Sequence, residues 1–205
     1  MRKNTLIRYI FVGISMMLMV GMVHAGAPTD GRAGRAEVRF LEGMIDHHQM
    51  ALDMATDCLA NAQTEAVITL CNDVITAQSA EIAQMQEWLL DWYQIEYAPM
   101  SMYEMMPDDD MGGMDMGNMN MEMPPYTDPP MMMGMMAGLS RLDGVEYEIA
   151  WLESMIDHHD DALHMAERIL LRAEHADLIT LAEAIISAQT AEIEYMEALI
   201  LELSA

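Results

Sequence analysis

The sequence is poor in basic residues, and its only lysine lies at position 3. Three of the nine basic residues fall within the first 25 positions, so six remain against 34 acidic ones beyond them, a formal charge of 6 − 34 = −28. A surface of that charge repels nucleic acid and anionic lipid and concentrates cations. We therefore expect no nucleic-acid partner. The same charge is also typical of a secreted protein that is kept soluble by self-repulsion.

The N-terminal segment has the composition of a secretory signal. A basic start precedes an apolar run from Tyr9 to Val23, and the run ends at the small-residue exit Val23-His24-Ala25. A membrane-spanning helix needs about 20 apolar residues, so the length of this run favours a cleaved signal over a retained anchor. We expect cleavage after Ala25, a periplasmic or secreted mature chain, and no membrane contact after cleavage.

Cysteine is scarce, with Cys58 and Cys71 as the only two. They lie on either side of a short polar stretch, and an oxidising compartment permits a disulfide between them. The alternative is a thiolate metal site. The sequence favours the disulfide, because the second half of the chain has Ile169 and Ala182 at the corresponding positions.

Motifs for catalysis are missing as well. We find no Ser/His/Asp relay, phosphate-binding loop or cofactor motif. Di-iron bundles use Glu-x-x-His pairs, and neither Glu81 nor Glu192 is followed by histidine at the third position. We therefore expect a protein that is not an enzyme.

The chain contains an internal repeat. "MIDHHQMALDMA" at 44–55 aligns with "MIDHHDDALHMA" at 155–166, an offset of 111 residues. The same offset aligns Ala80-Glu81-Ile82 with Ala191-Glu192-Ile193, without a gap. About half of the positions over 41–91 are identical, which indicates a duplicated unit.

Each copy has the pattern of two helices joined by a short turn. Apolar residues recur at three- and four-residue steps, and Thr64 can cap the second helix. One hairpin cannot bury both of its apolar stripes, so two hairpins should form an all-α four-helix bundle. The helices are expected at 34–60, 66–93, 144–173 and 177–203. The expected organisation is a signal at 1–25, a first hairpin at 26–93, a linker at 94–143 and a second hairpin at 144–205.

The linker is rich in methionine. Residues 100–136 contain 15 of the 27 methionines, together with prolines and glycines that break regular structure. A flexible tether is one interpretation, but tethers are usually built from Gly, Ser and Pro. The density of thioethers favours copper capture at several weak sites.

Paired histidines with neighbouring methionines form the candidate metal site. On a helix, Met44 lies one turn from both His47 and His48. Such residues can simply fill a core, yet buried imidazoles need hydrogen-bond partners that methionine does not supply. Asp46 and Asp157 are either ligands or partners that orient a histidine. Gln78, Glu81, Gln189 and Glu192 are expected as buried polar partners.

The donor set favours soft metals. Thioether sulfur selects Cu(I) and Ag(I), and imidazole serves both Cu(I) and Cu(II). Zinc prefers Cys, His and carboxylate. The candidate ligands are the histidines and methionines that the two copies share, with one extra histidine in the second copy: Met44, His47, His48, Met54, Met85, Met155, His158, His159, His164, Met165 and Met196.

In the doubled MIDHH motif the chain resembles secreted Met- and His-containing domains of unknown function in the ferritin-like superfamily. Its tandem arrangement around a methionine-rich middle is similar to periplasmic copper-binding proteins of copper resistance. The resemblance implies a ferritin-like bundle, binding of Cu(I), Cu(II) and Ag(I), and sequestration or transfer of periplasmic copper. It implies that all the candidate ligands named above except His164 hold the metal.

The sequence thus predicts a copper-binding protein whose partners are copper ions and a periplasmic or membrane copper exporter or sensor. Two alternatives remain open. One is a redox-active copper enzyme that oxidises Cu(I) or a small substrate. The other is a secreted interaction module that works without metal.

Overall fold

The computed structural model describes residues 26–99, 101 and 137–205. The expected signal at 1–25 and most of the methionine-rich linker, residues 100 and 102–136, lie outside the described residues. The predictions made for those two segments therefore stay predictions.

The described part of the chain folds into four long helices. They are α1 (Gly31–Asn61), α2 (Glu65–Tyr93), α3 (Gly144–Leu170) and α4 (Ala176–Leu203). These bounds agree with the expected helices to within a few residues. The fold class, an all-α helical bundle, is confirmed.

The order of the helices follows from two contacts between them. The end of α2 lies beside the start of α1, where Tyr93 donates a hydrogen bond to Glu37. The start of α3 lies beside the end of α1, where the Tyr147 hydroxyl donates to Asp57 at 2.7 Å. Helix α1 therefore runs up, α2 and α3 run down and α4 runs up, which is the order of ferritin-like bundles with one long crossover.

The segment after α2 begins this crossover by running back along α1. Tyr97 donates from its hydroxyl to Asp46 at 2.6 Å, and Ser101 donates to Asp53 at 3.0 Å. Asp46 and Asp53 lie successively further from the start of α1. Its described residues thus run from the end of the bundle where α1 starts towards the end where α3 starts.

Two glutamates that correspond in the repeat connect the two hairpins. Glu148 accepts hydrogen bonds from the backbone N–H groups of Gln63 and Thr64, at 2.7 and 2.6 Å. Glu37 accepts equivalent bonds from Glu174 and His175, at 2.7 and 3.1 Å. Each carboxylate thus satisfies free N–H groups just before a helix of the other hairpin, where negative charge is favourable.

These contacts correct the expected cap of α2. Thr64 is the N-cap residue, but its side chain makes no capping bond to its own helix. Its hydroxyl donates instead to Glu148 at 2.7 Å. The physical reason is that a buried carboxylate accepts from both the backbone and the hydroxyl of Thr64, and a charged acceptor makes the stronger bond.

Cys58 and Cys71 form a disulfide with a Cα–Cα distance of 6.4 Å, as the sequence favoured. It joins the last turns of α1 to the first turns of α2. The bond leaves no free cysteine in the described residues. A thiolate metal site at this pair is therefore excluded in the oxidised protein.

None of the helices in the described residues is long and apolar enough to span a lipid bilayer.

Candidate metal centre

In each copy a glutamate from the second helix hydrogen-bonds a buried histidine. His48 Nε2 lies 2.6 Å from Glu81 Oε2, and His159 Nε2 lies 2.6 Å from Glu192 Oε2. Both imidazoles are completely buried. When the carboxylate accepts this bond, Nε2 carries the proton and the lone pair lies on Nδ1. Metal-binding histidines are commonly oriented by a carboxylate in this way.

The other histidine of each pair lies at the centre of the bundle. The rings of His47 and His158 face each other with centroids 3.7 Å apart, and His158 Nε2 donates to the backbone oxygen of His47 at 3.1 Å. Burial lowers the pKa of both imidazoles well below the ordinary range, and the charges of neighbouring histidines lower it further. Both rings are therefore neutral near pH 7, the form that binds metal.

Several ring nitrogens in this centre have no hydrogen-bond partner among the described residues. They are Nδ1 of His47, His48, His158 and His159, together with Nε2 of His47. Leaving a buried polar atom without a partner costs about 1–3 kcal/mol. Four Nδ1 atoms in one core are costly as packing alone, and each is free to donate its lone pair to a soft metal ion.

The six candidate methionines of the bundle are buried, five of them completely and Met165 with 7% exposure. They separate into two trios, each of which packs with its own apolar cluster. The first trio, here called the lower methionine trio, is Met44, Met85 and Met165. The second, the upper methionine trio, is Met54, Met155 and Met196. The 111-residue offset converts one trio into the other.

Each trio therefore contains methionines from both copies. Helical spacing alone permits Met54 to lie on one strip of α1 with Met44, His47 and His48. In the folded protein Met54 instead packs in the cluster of Met155. The pairing arises because the hairpins are packed against each other in opposite directions, so that one end of α1 meets the other end of α3.

Two predicted roles do not agree with the structure. Asp46 accepts a hydrogen bond from Tyr97 and Asp157 is exposed, so neither orients a histidine. Their position next to the paired histidines suggested that role, but adjacent residues on a helix face different directions. Glu81 and Glu192, expected only as polar partners, orient His48 and His159 instead.

Gln78 and Gln189 are buried at 3% exposure, as expected. They do not fulfil the expected pairing with histidine, since neither amide makes such a bond and the Gln78 amide has no partner among the described residues. Glutamine and glutamate side chains are equally long, so position decides: Glu81 and Glu192, about one turn further along their helices, reach the rings of His48 and His159. Gln78 thus adds a further unsatisfied polar group to the core.

His164 is not brought together with the buried histidines. Its side chain is 54% exposed and lies 3.6 Å from Asp160 and 3.7 Å from Glu167. Its role as a ligand stays a prediction that only a separate surface site could satisfy.

No group of three or more His, Cys, Asp or Glu side chains in the described ranges is arranged to hold a metal ion. What the core does provide is imidazole nitrogen with thioether sulfur from Met44 or Met155, one turn away on the same helix.

Sequence reasoning missed the reciprocal pair Glu37 and Glu148, and it missed that both copies contribute to each trio. The repeat did contain a signal for the first, because the 111-residue offset aligns the two glutamates. The second depends on how the hairpins pack, which helical spacing within one copy does not specify.

Solved structures of other proteins share this fold at low sequence identity. CopM in its Cu(II)-bound form is 28% identical, with a TM-score of 0.58 over 80% of this chain and 94% of that one. A DUF305 protein from Streptomyces coelicolor is 27% identical, with a TM-score of 0.63 over 83% and 93%. A DUF305 fragment from Deinococcus radiodurans is 26% identical, with a TM-score of 0.61 over 86% and 99%.

No match is found among curated protein sequences. The family model "Domain of unknown function (DUF305)" matches residues 37–200, which is most of the chain and includes all four helices in whole or in large part. The likeness to CopM extends over nearly the whole of that protein as well. The chain therefore belongs to the DUF305 family, as a CopM-like member.

Proposed function

We propose that this protein binds copper outside the cytoplasm and holds it in the core of the bundle. One observation carries the proposal. In both copies a glutamate fixes Nε2 of a buried histidine, Nδ1 has no partner among the described residues, and a buried methionine lies one turn away on the same helix. Imidazole with thioether is a donor set for copper.

The same donor set accounts for the proposed range of metals. Cu(I) and Ag(I) are soft ions that thioethers favour, while imidazole also accepts Cu(II). Support comes from the similar fold of CopM, whose Cu(II)-bound structure is 28% identical to this chain. In the proposal, the methionine-rich segment over 100–136 collects further ions at weaker sites.

The proposed role is sequestration and transfer in periplasmic copper resistance, and not catalysis. A copper site buried between helices protects the ion from oxygen and from water, which suits storage. Release to a periplasmic or membrane exporter or sensor would complete the role. Secretion through the segment 1–25 would place the protein in that compartment.

The test is Cu(I) binding to the chain without residues 1–25, in competition with a chelator under reducing conditions. The matched variant changes His47, His48, His158 and His159 to Ala, and circular dichroism checks that it stays helical. The proposal predicts loss of the tightest sites while the weaker sites remain. Unchanged tight binding in the folded variant would show that the histidines serve only the interior of the bundle.

A further inference from the structure

Five arginines line one groove at the end of the bundle where α1 starts and α3 ends. They are Arg32, Arg35, Arg39, Arg168 and Arg172. All five are exposed. Only one other basic residue, Arg141, occurs beyond residue 25. The groove has a volume of about 430 Å³. Residues 26–205 carry a formal charge of −28, and five of their six arginines are gathered at this one place.

The arginines are not used to neutralise the protein's own carboxylates. Within residues 26–99, 101 and 137–205, the ion pairs at 4 Å or less all involve histidine. Nor do they all stabilise their helices. Arg168 in the last turn of α3 is favourably placed, but Arg32 and Arg35 lie near the start of α1, where positive charge is unfavourable.

The duplication shows that the groove is not a consequence of the fold. The 111-residue offset aligns Arg32, Arg35 and Arg168 with Asp143, Glu146 and Asp57. The equivalent place at the opposite end of the bundle is therefore acidic. The buried histidines, methionines and glutamates follow the repeat, whereas the charges of these two ends are opposite in sign.

The groove also has apolar lining. Phe40, Ile169 and Leu171 line it with the arginines, and Leu171 is 84% exposed. Guanidinium groups beside apolar side chains suit a ligand with carboxylates and apolar side chains together. A small inorganic anion would use only the guanidinium groups.

We propose that this arginine groove is a docking site for an acidic, amphipathic segment of another protein. Charge complementarity is the basis of this assignment. A second copy of this chain would bring together two bodies that each carry a formal charge of −25 or, without residues 1–25, −28, and their repulsion opposes that contact. A short acidic segment carries far less charge, and at about 0.15 M salt the Debye length of about 8 Å screens the rest of the surface.

The position of the groove relates it to the proposed copper site. Met165, a member of the lower methionine trio, also lines the groove. A docked partner would thus lie next to a thioether of the core. If the core holds copper, the docked partner could exchange copper with the protein at Met165. That exchange rests on the proposed function, whereas docking in the groove does not.

The test uses a fluorescent synthetic peptide of glutamate and leucine in an amphipathic pattern, titrated with metal-free protein at about 0.15 M salt, where the Debye length is about 8 Å. The variant is Arg35→Gln, Arg39→Gln and Arg168→Gln combined, and Arg141→Gln is the matched control. We expect about tenfold weaker binding in the triple variant, since each exposed ion pair contributes a factor of about two. The control should bind like wild type.

Several results would overturn the proposal. One is equal binding of the peptide by the triple variant with an unchanged circular dichroism spectrum. Another is full competition by inorganic phosphate, which would assign the groove to small anions. A third is a wild-type dimer in sedimentation that the triple variant loses, which would make a second copy the occupant. The triple variant should bind copper as wild type does. Peptide binding therefore tests the docking site and copper binding tests the proposed function, so that failure of one is distinguished from failure of the other.

Discussion

His47 and His158 are equivalent residues of the two copies, and their rings lie against each other at the centre of the bundle, with centroids 3.7 Å apart and planes tilted by 38°. Two imidazoles at that distance cannot both be protonated to the cationic imidazolium form without strong repulsion. The contact brings both histidine pairs into one buried region, with His48 and His159 flanking the central rings. The duplicated sequence thus places its two histidine pairs side by side in the core.

The first prediction concerns the stability of the metal-free protein. The pKa of His47 and His158 is lowered by folding, so below pH about 6.5 the unfolded chain binds more protons than the folded one. The free energy of unfolding should therefore fall as pH decreases from about 6.5, by up to about 1.4 kcal/mol per pH unit for each histidine. Urea unfolding between pH 6.5 and 5.5 measures this slope.

The control for that slope is His47→Leu combined with His158→Leu, which removes both titrating groups and keeps the region apolar. The slope between pH 6.5 and 5.5 should then become shallower. An equal slope in the variant would mean that other groups cause the pH dependence and that the central rings are not held neutral.

The second prediction concerns the cap that connects the hairpins. Glu148→Gln weakens charge-assisted hydrogen bonds to Gln63 and Thr64, and it should lower the free energy of unfolding by about 1 kcal/mol at pH 7. Glu153→Gln, an exposed change on the same helix beyond its first turn, is the control and should cost much less. Urea unfolding of the three proteins gives the comparison.

The pH dependence of the cap has a definite sign. Burial alone would raise the pKa of Glu148, but hydrogen bonds from Thr64 and Gln63 outweigh it, so the folded pKa lies below 4.5. The stabilisation is therefore present above pH about 4.5 and is lost as pH falls through the folded value. A difference between wild type and Glu148→Gln that persists at pH 2 would contradict this account.

Helix bounds, the disulfide and the buried histidine pairs could be predicted from sequence because each depends on local spacing or on residue chemistry. Met44 and His48 show a helical period whatever the partner helix is. The distribution of the methionines could not be predicted in this way. Met54 joins Met155 because of how two hairpins cross, and the stabilising contact of Glu37 with His175 spans 138 residues of chain.

The third prediction concerns the disulfide. Replacing Cys58 and Cys71 with Ala removes a cross-link that closes a loop of 13 residues, and it should cost about 2–3 kcal/mol of stability. The pair lies at one end of the bundle and its counterparts in the second copy are Ile169 and Ala182. The number of copper ions that each protein binds tightly should therefore not change. Loss of copper ions together with the disulfide would place the cysteines in the metal centre.

The fourth prediction uses the shared trios. Met54→Leu keeps the volume of the core and removes one thioether from the upper methionine trio. Two of the three methionines in the upper methionine trio, Met155 and Met196, come from the second copy. If each trio binds metal together with the histidines of the copy that supplies two of its methionines, the change should weaken metal binding at His159 and leave metal binding at His48 unaffected. Met50→Leu, a partly buried methionine outside both trios, is the control. A stronger effect on His48 would mean that Met54 serves its own copy.

The most direct test of the central claim is nitrogen NMR of protein with 15N-labelled histidine, titrated with Ag(I) or with Cu(I) under reducing conditions. The account predicts that Nδ1 of His48 and His159 changes its chemical shift on metal binding, while Nε2 keeps its proton and its hydrogen bond to Glu81 or Glu192. Unchanged histidine resonances with shifts only in methionine methyl groups would contradict it. In that case the core histidines serve packing, and thioethers alone hold the metal.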